Sequence, residues 1–203
     1  MSHTYRDDSS WASTKIQPIA EKQVYSQVWP GCRIISLDDD ELNILKTTLD
    51  VAGADKLLRW PDGTASFLAQ RFRSYEKRVW DDFTLREFRP NTSYRAECYK
   101  APEALKANKI NATYYAYGHV NEEEDGFLRF RIVKFREFLE YWTKGLLPKP
   151  QRGYNADDSS WFLYWAFKDI PPELILWQLK PRSIRLAEFM EAGSWGVAHP
   201  GGL

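Results

Sequence analysis

Acidic and basic side chains are concentrated between residues 49 and 88, where three consecutive segments have strand-like sequences. Asp55 opens the first segment, Gln70 lies on the second and Asp82 begins the third. Carboxylate and amide oxygens suit a divalent cation such as Mg²⁺, and a bound cation can neutralise the charge of a phosphodiester. The grouping therefore predicts that Asp55, Gln70 and Asp82 bind a metal ion beside a DNA or RNA strand.

Cationic side chains accompany these oxygens on the second and third segments. Arginine stays protonated, so a guanidinium group can stabilise charge on a phosphate but cannot act as a general base. We expect Arg86 to have this role in catalysis. The alternative is a solvated surface in which ion pairs with nearby acidic residues use the charge internally. The residues predicted to contact nucleic acid are Arg71, Arg73, Lys77 and Arg78.

Helix and turn signals organise the first half of the chain. Three strand-like segments, the first two joined by a Pro-Asp-Gly turn, favour an antiparallel meander. Capping residues and apolar periodicity indicate two helices before the meander. The predicted elements are a helix from Ile16 or Pro18 to Trp29, a helix over 38–49, and strands over 54–61, 65–73 and 82–89.

The second half alternates helix and strand patterns, although residues 94–100 are ambiguous. The predicted elements are a helix over 101–109, strands over 113–120 and 127–135, a short helix that begins at 136 and stops near Gly145, an exposed connector over 147–158 and an aromatic strand over 159–170. Residues 1–14 are expected to form a flexible arm, 15–145 the α/β core, and 146–203 an extension packed on the core, with the last 30 residues peripheral.

The order helix, strands, helix, strand resembles the core of the PD-(D/E)xK nuclease superfamily. The resemblance covers about residues 16–120 and is carried by Gly-Ala-Asp at 53–55 and Ala-Gln-Arg-Phe-Arg at 69–73. It implies an α/β fold with a mixed central sheet flanked by helices, a restriction-endonuclease-like core to which an aromatic C-terminal extension is added. It also implies Mg²⁺, with Mn²⁺ as an alternative, bound by Asp55 and by Gln70 in the place of an acidic residue.

Two positions depart from the superfamily pattern. The neutral amide of Gln70 coordinates Mg²⁺ more weakly than a carboxylate, and Phe72 stands where a lysine would orient or activate water. Because strand residues alternate between faces, Gln70 and Phe72 share one face, whereas Arg71 and Arg73 point to the other. Unless a β-bulge re-aims the arginines, a replacement for the missing groups must therefore come from another element.

Three elements offer such a replacement. Asp82 and Arg86 share a face of the third strand and can place a carboxylate and a cation beside Gln70. A rival arrangement uses Asp82 with Glu97 and Lys100, but the last two are one residue too far apart to share a strand face. Glu21, on the first predicted helix, can add a further carboxylate.

Composition and motifs narrow the functional classes to which the protein can belong. The 28 basic and 28 acidic residues cancel, so a nucleic-acid surface must be a local patch. Two distant cysteines fit neither a zinc site nor a disulfide framework, which favours a cytoplasmic setting. His119 is expected at a strand end, and the three histidines lack the spacing of a metal site. Phosphate-cradling loops, nucleophile elbows and membrane-length apolar runs are missing from the sequence.

The combined prediction is a metal-dependent phosphodiesterase that acts on DNA. The alternative is a catalytically inactive nuclease-fold protein that serves as a nucleic-acid-binding or assembly subunit of a larger complex, as in a phage or mobile element. The aromatic C-terminal segment would suit a protein partner or a second copy of the chain. No motif in the sequence supports an enzyme that acts on a small molecule.

Overall fold

Strand-forming segments with alternating apolar residues build the centre of the computed structural model, which describes residues 10–37, 53–75, 81–90, 96–109, 111–156 and 159–179. Three layers result. One helical run covers one face of a six-stranded mixed sheet, and a three-stranded sheet with two further helices covers the other. This arrangement confirms the predicted mixed α/β architecture with a mixed central sheet.

The first helix, α1, buries a stripe of residues spaced four apart, Ile16, Ala20 and Val24. It begins inside the predicted arm, four residues before the expected start, and it ends within one residue of the expected Trp29. Its hydrogen bonding alternates between π-helical segments, Ala12–Ile16 and Glu21–Tyr25, and α-helical segments, Gln17–Ala20 and Ser26–Val28.

The central sheet has the strand order β1-β2-β3-β5-β6-β9. The predicted hairpin is confirmed: β2 and β3 pair antiparallel across a turn in which Gly63 has φ +86°. Among the strand pairs described, only β3 and β5 are parallel. Between these two strands the chain contributes a strand and a helix to the layer that lies on the other side of the sheet from α1. The strands are β1 Arg33–Ser36, β2 Lys56–Arg59, β3 Ala65–Arg73, β5 Tyr114–Val120, β6 Phe127–Lys134 and β9 Ile175–Gln178.

The predicted three-stranded meander is wrong, because β4, Asp82–Phe88, leaves the central sheet. The position beside β3 is taken by β5, and β4 pairs instead with β8, Ser160–Ala166, an aromatic strand. The predicted connector over 147–158 is also partly a strand, because β7, Gln151–Asn155, pairs with β8 on its other side. The second sheet therefore has the order β4-β8-β7.

Two helices complete the second layer: α2, Glu97–Lys106, and α3, Phe135–Thr143. The start of α2 lies four residues before the predicted one, because Cys98, Ala101 and Ala104 recur at helical spacing and are buried. The described part of the C-terminal extension supplies β7 and β8 to the second sheet and β9 to the edge of the central sheet.

Apolar side chains fill both spaces between the layers. Leu58, Leu68 and Phe130 pack against α1 on one face of the central sheet. Phe83 and Trp165 pack with aromatic residues of β5 and α3 on the other face. The predicted helix over 38–49, residues 1–9 of the predicted arm, and residues 180–203 lie outside the described residues. None of the helices in the described ranges has both the length and the apolar character needed to cross a membrane.

Candidate functional site

Asp55 and Gln70 meet where β2 begins alongside β3. The Asp55 Oδ2 atom accepts a hydrogen bond from the backbone N–H of Gln70 at 2.7 Å. The backbone of Asp55 is fixed on both sides, because its N–H donates to the Leu68 carbonyl and its own carbonyl accepts from the Leu37 N–H. An exposed carboxylate is thus held at a defined position on the hairpin.

The side chain of Gln70 turns toward α1. Its Oε1 atom accepts a hydrogen bond from the hydroxyl of Tyr25 at 3.3 Å. One turn earlier in the helix, the Gln17 Nε2 atom donates to Glu21 Oε1 at 2.7 Å. Gln17, Glu21 and Tyr25 are spaced four residues apart, so they form a polar stripe beside the apolar one. We call Gln17, Glu21, Tyr25, Asp55 and Gln70 the Asp55 cluster.

The charges of this cluster act on the Tyr25 hydroxyl. Burial raises the pKa of Tyr25 well above its ordinary value, and the negative charges of Asp55 and Glu21 raise it further. Tyr25 therefore stays neutral, and its O–H donates a hydrogen bond to Gln70 Oε1. The Oε1 atom of Gln17 is buried without a hydrogen-bond partner. Tyr25 was missed at the sequence level, although the spacing 17, 21, 25 was visible.

The fold does not place Asp82 beside Gln70. Gln70 shares the α1-facing side of β3 with Leu68, whereas Asp82 lies on β4, in the layer on the opposite side of the central sheet. Among the described residues, the cation within ion-pair distance of Asp82 is Arg73, with 3.9 Å between Arg73 Nη1 and Asp82 Oδ1. Burial raises the pKa of the Asp82 carboxyl, and Arg73 offsets part of this effect. The expectation that Asp82 lies beside Gln70 depended on the meander and fails with it.

Arg71 and Arg73 enter a network between the two sheets. Arg71 donates to the Thr84 carbonyl at 3.2 Å and to Glu97 Oε2 at 3.0 Å. Both arginines donate to Thr84 Oγ1 at 3.1 Å, and the guanidinium of Arg73 lies 5.2 Å from the ring centroid of Tyr117. We call Arg71, Arg73, Thr84, Glu97 and Tyr117 the interlayer network. Its contacts match the alternative in which ion pairs use the charge internally.

The network keeps Arg71 firmly protonated. Burial alone would lower the pKa of its guanidinium, but the surrounding ionisable groups, Tyr115 and Glu97 foremost, outweigh burial and raise it. Burial raises the pKa of the Tyr115 phenol well above its ordinary value, so this group is neutral at neutral pH. Glu97 is therefore the charged partner that compensates Arg71.

The other predicted site residues are dispersed. Arg86 lies on β4, across the central sheet from Gln70, and its backbone N–H donates to Glu97 Oε2 at 3.2 Å. Phe72 packs in the α1-facing core, 5.8 Å from the ring of Phe127. Lys77 and Arg78 lie outside the described residues. Across the described ranges, no group of three or more His, Cys, Asp or Glu side chains is placed to hold a metal ion.

His119 lies near the end of β5, as expected, and is buried among cations. It stands opposite Arg73 on one side and Arg129 on the other. Burial, followed by the charges of Arg73, Arg129 and Arg131, lowers its pKa to about 4, while Asp81 acts in the opposite direction. Its Nε2 atom has no hydrogen-bond partner. His119 is therefore a neutral core side chain at neutral pH.

Acidification should destabilise the protein through His119. The unfolded chain, with an ordinary histidine pKa of about 6.5, binds the proton more readily than the folded chain, so stability falls as pH drops from about 6.5 to about 4. Between about pH 7.5 and pH 4.5 we expect the wild type to lose about 2 kcal/mol more than His119→Gln. Urea unfolding at both pH values measures the difference; equal losses would contradict it.

Compared with protein-family models, with curated proteins and with solved structures, the chain matches none of them.

Proposed function

We propose that the chain is a metal-dependent phosphodiesterase that acts on DNA through the Asp55 cluster. The observation that carries this proposal is the meeting of Asp55 and Gln70, at 2.7 Å between Asp55 Oδ2 and the Gln70 backbone nitrogen, beside the polar stripe of α1. The exposed carboxylate of Asp55 is thus fixed against the backbone of the strand that carries Gln70.

The order of elements supports a restriction-endonuclease-like core. In the described ranges, a helix, three antiparallel strands, a second helix and a strand parallel to the third come in the order α1, β1, β2, β3, α2 and β5, with residues 38–52 between β1 and β2 outside these ranges. β4 is an insertion in this order that joins the other sheet. Asp55 stands before the second of these strands and Gln70 in the third, which are the positions that the resemblance implies.

The donor set suits a hard cation that keeps several waters. Asp55 would supply a carboxylate oxygen and Gln70 its amide oxygen, with Glu21 as a second carboxylate from α1; Mg²⁺ sites commonly use one or two carboxylates together with water and substrate phosphate. Mn²⁺ would use the same oxygens. When bound, the metal lowers the pKa of a coordinated water and neutralises charge on the phosphate. Tyr25 orients the Gln70 amide by donating to its Oε1 atom.

Removing the charge of Asp55 should abolish metal-dependent cleavage. Asp55→Asn keeps an oxygen that can accept from the Gln70 N–H but removes the carboxylate, and a loss of about 3 kcal/mol of transition-state stabilisation corresponds to about 100-fold in rate. The assay uses plasmid, single-stranded DNA and RNA, with and without Mg²⁺ or Mn²⁺, and includes Asp55→Ala.

Asp62→Asn is the matched control. Asp62 lies in the neighbouring β2–β3 turn, where its Oδ1 atom accepts from Thr64 N–H and Oγ1–H at 2.9 and 2.7 Å. Asp62 lies at the end of the hairpin remote from Asp55, so this variant should cleave at least as fast as the wild type. Cleavage by Asp55→Asn at the wild-type rate, with both variants folded by circular dichroism, would refute the assignment of Asp55.

A second candidate function is a nucleic-acid-binding or assembly subunit that does not cut. Two observations favour it: Gln70 is neutral where the superfamily has an acid, and Phe72, in the place of the lysine, packs in the α1-facing core. DNA binding without cleavage under every metal condition would select this candidate.

A further inference from the structure

Two arginines stand directly opposite each other at the end of the β1–β2 pair that is remote from Asp55. Arg33 and Arg59 are register partners in the antiparallel pair, so their side chains leave the same face of the sheet. Both are exposed. Like charges directly opposite each other on a sheet are destabilising, and an anion bound between them would remove this cost.

Neither guanidinium is neutralised by the parts of the chain that the structure describes. No ion pair or hydrogen bond joins either side chain to another described residue. Asp62, the acidic residue in the adjoining turn, is occupied by Thr64. Both cations are therefore available, in contrast to Arg71 and Arg73, whose charges are used internally.

The two arginines line a shallow surface cleft of about 340 Å³. Its remaining lining residues are Gly31, Trp60, Pro61 and Gly63. The cleft is built from two turns that contact each other: Gly31 has φ +78°, and the position of a Cβ on it would be 3.6 Å from Pro61 Cγ. The Trp60 N–H donates to the Thr64 carbonyl and the Gly63 N–H to the Trp60 carbonyl, which fixes the second turn. The cleft walls are thus held by backbone contacts.

We propose that this Arg33–Arg59 cleft binds a phosphodiester of a nucleic-acid backbone. Two guanidinium groups can clamp the phosphate oxygens, and the partly exposed indole of Trp60 provides a flat apolar wall for the adjoining sugar or base. Asp55 lies four residues before Arg59, about 13 Å away at the rise of a strand.

This inference deepens the proposed function, because it names where the substrate backbone is held, but it concerns binding and is tested without metal. Fluorescence anisotropy in EDTA measures the affinity for labelled single-stranded and duplex DNA at several salt concentrations. For Arg33→Gln/Arg59→Gln we expect a loss of about 10- to 100-fold in affinity and a salt slope shallower by about 1 to 2.

The matched control is Arg136→Gln/Lys144→Gln, which removes the same charge from α3 and the residue that follows it; both cations pair with Glu140. It should bind DNA within about twofold of the wild type. An equal loss of DNA affinity in both double variants would contradict the proposed binding site, because the affinity would then depend only on net charge. Unchanged affinity in Arg33→Gln/Arg59→Gln, or a wild type that binds no DNA, would overturn it too.

Thermal unfolding distinguishes binding of free inorganic phosphate from binding of a nucleic-acid backbone. An anion that binds only the folded state raises the melting temperature. Inorganic phosphate should stabilise the wild type and leave the Arg33→Gln/Arg59→Gln variant unchanged. Stabilisation by phosphate without any binding of DNA would overturn the nucleic-acid assignment. Asp55→Asn should still bind DNA, so a protein that binds through the cleft but does not cleave would refute the catalytic proposal alone.

Discussion

Phe83→Ala should lower the free energy of unfolding by about 4 kcal/mol, within the range measured for the truncation of a buried phenylalanine. The Phe83 side chain is fully buried on β4. Its ring centroid lies 5.1 Å from that of Tyr115, on the central sheet, and 4.9 Å from that of Phe138, on α3. The ring therefore joins the second sheet, the central sheet and a helix, and its removal leaves a cavity that all three would have to close.

Urea unfolding followed by tryptophan fluorescence measures this loss. Phe88→Ala is the control on the same strand, because Phe88 is 53% exposed and its truncation should cost less than about 1 kcal/mol. If the two variants were equally stable, the second sheet would not be packed on the central one as described.

Glu97→Gln should lower the free energy of unfolding by about 3 kcal/mol. The substitution keeps the size of the side chain but leaves the partly buried guanidinium of Arg71 without a compensating charge. Breaking a buried pair from one side commonly costs about 3 to 5 kcal/mol, and we expect about the lower end of this range for a pair that is partly exposed. Glu97 and Arg71 are 19% and 23% exposed at the side chain, so solvent relieves part of the cost.

Two variants test the cause of this loss. Glu140→Gln removes an exposed carboxylate that pairs with Arg136 and Lys144 on α3, and it should cost less than about 1 kcal/mol. Replacing both members of the buried pair, Arg71→Met with Glu97→Leu, should recover much of the stability, because no unpaired charge remains. A double variant less stable than Glu97→Gln would show that packing or hydrogen bonds, and not the lone charge, dominate.

Part of the candidate site could be predicted from local sequence. The Pro-Asp-Gly turn fixes the β2–β3 hairpin, and the hairpin register brings Asp55 beside the backbone of Gln70. The contribution of α1 could not be predicted in the same way. The spacing of Gln17, Glu21 and Tyr25 is visible, but the rotation of the helix over the sheet decides which stripe faces Gln70.

The error over Asp82 has a different cause. Strand character at 82–88 was correctly predicted from the sequence, but nothing within the strand specifies its partner. β5 pairs with β3 in parallel, across a connection of 40 residues from Arg73 to Tyr114, and this pairing excludes β4 from the sheet. The same displacement turned Arg71 and Arg73 from predicted phosphate contacts into members of the interlayer network.

The amino-acid order alone determined the periodic features: the apolar stripe of α1, the turn at 61–63, and the strand character of β2 to β6 and β8. These depend on contacts within a few residues, where backbone geometry dictates the repeat. Tertiary structure alone decided which strands pair, which face Arg71 and Asp82 occupy, and that Arg33 and Arg59 remain without neutralising partners among the described residues. Those outcomes follow from competition among distant segments for the same apolar surfaces, and that competition is settled only when the layers pack.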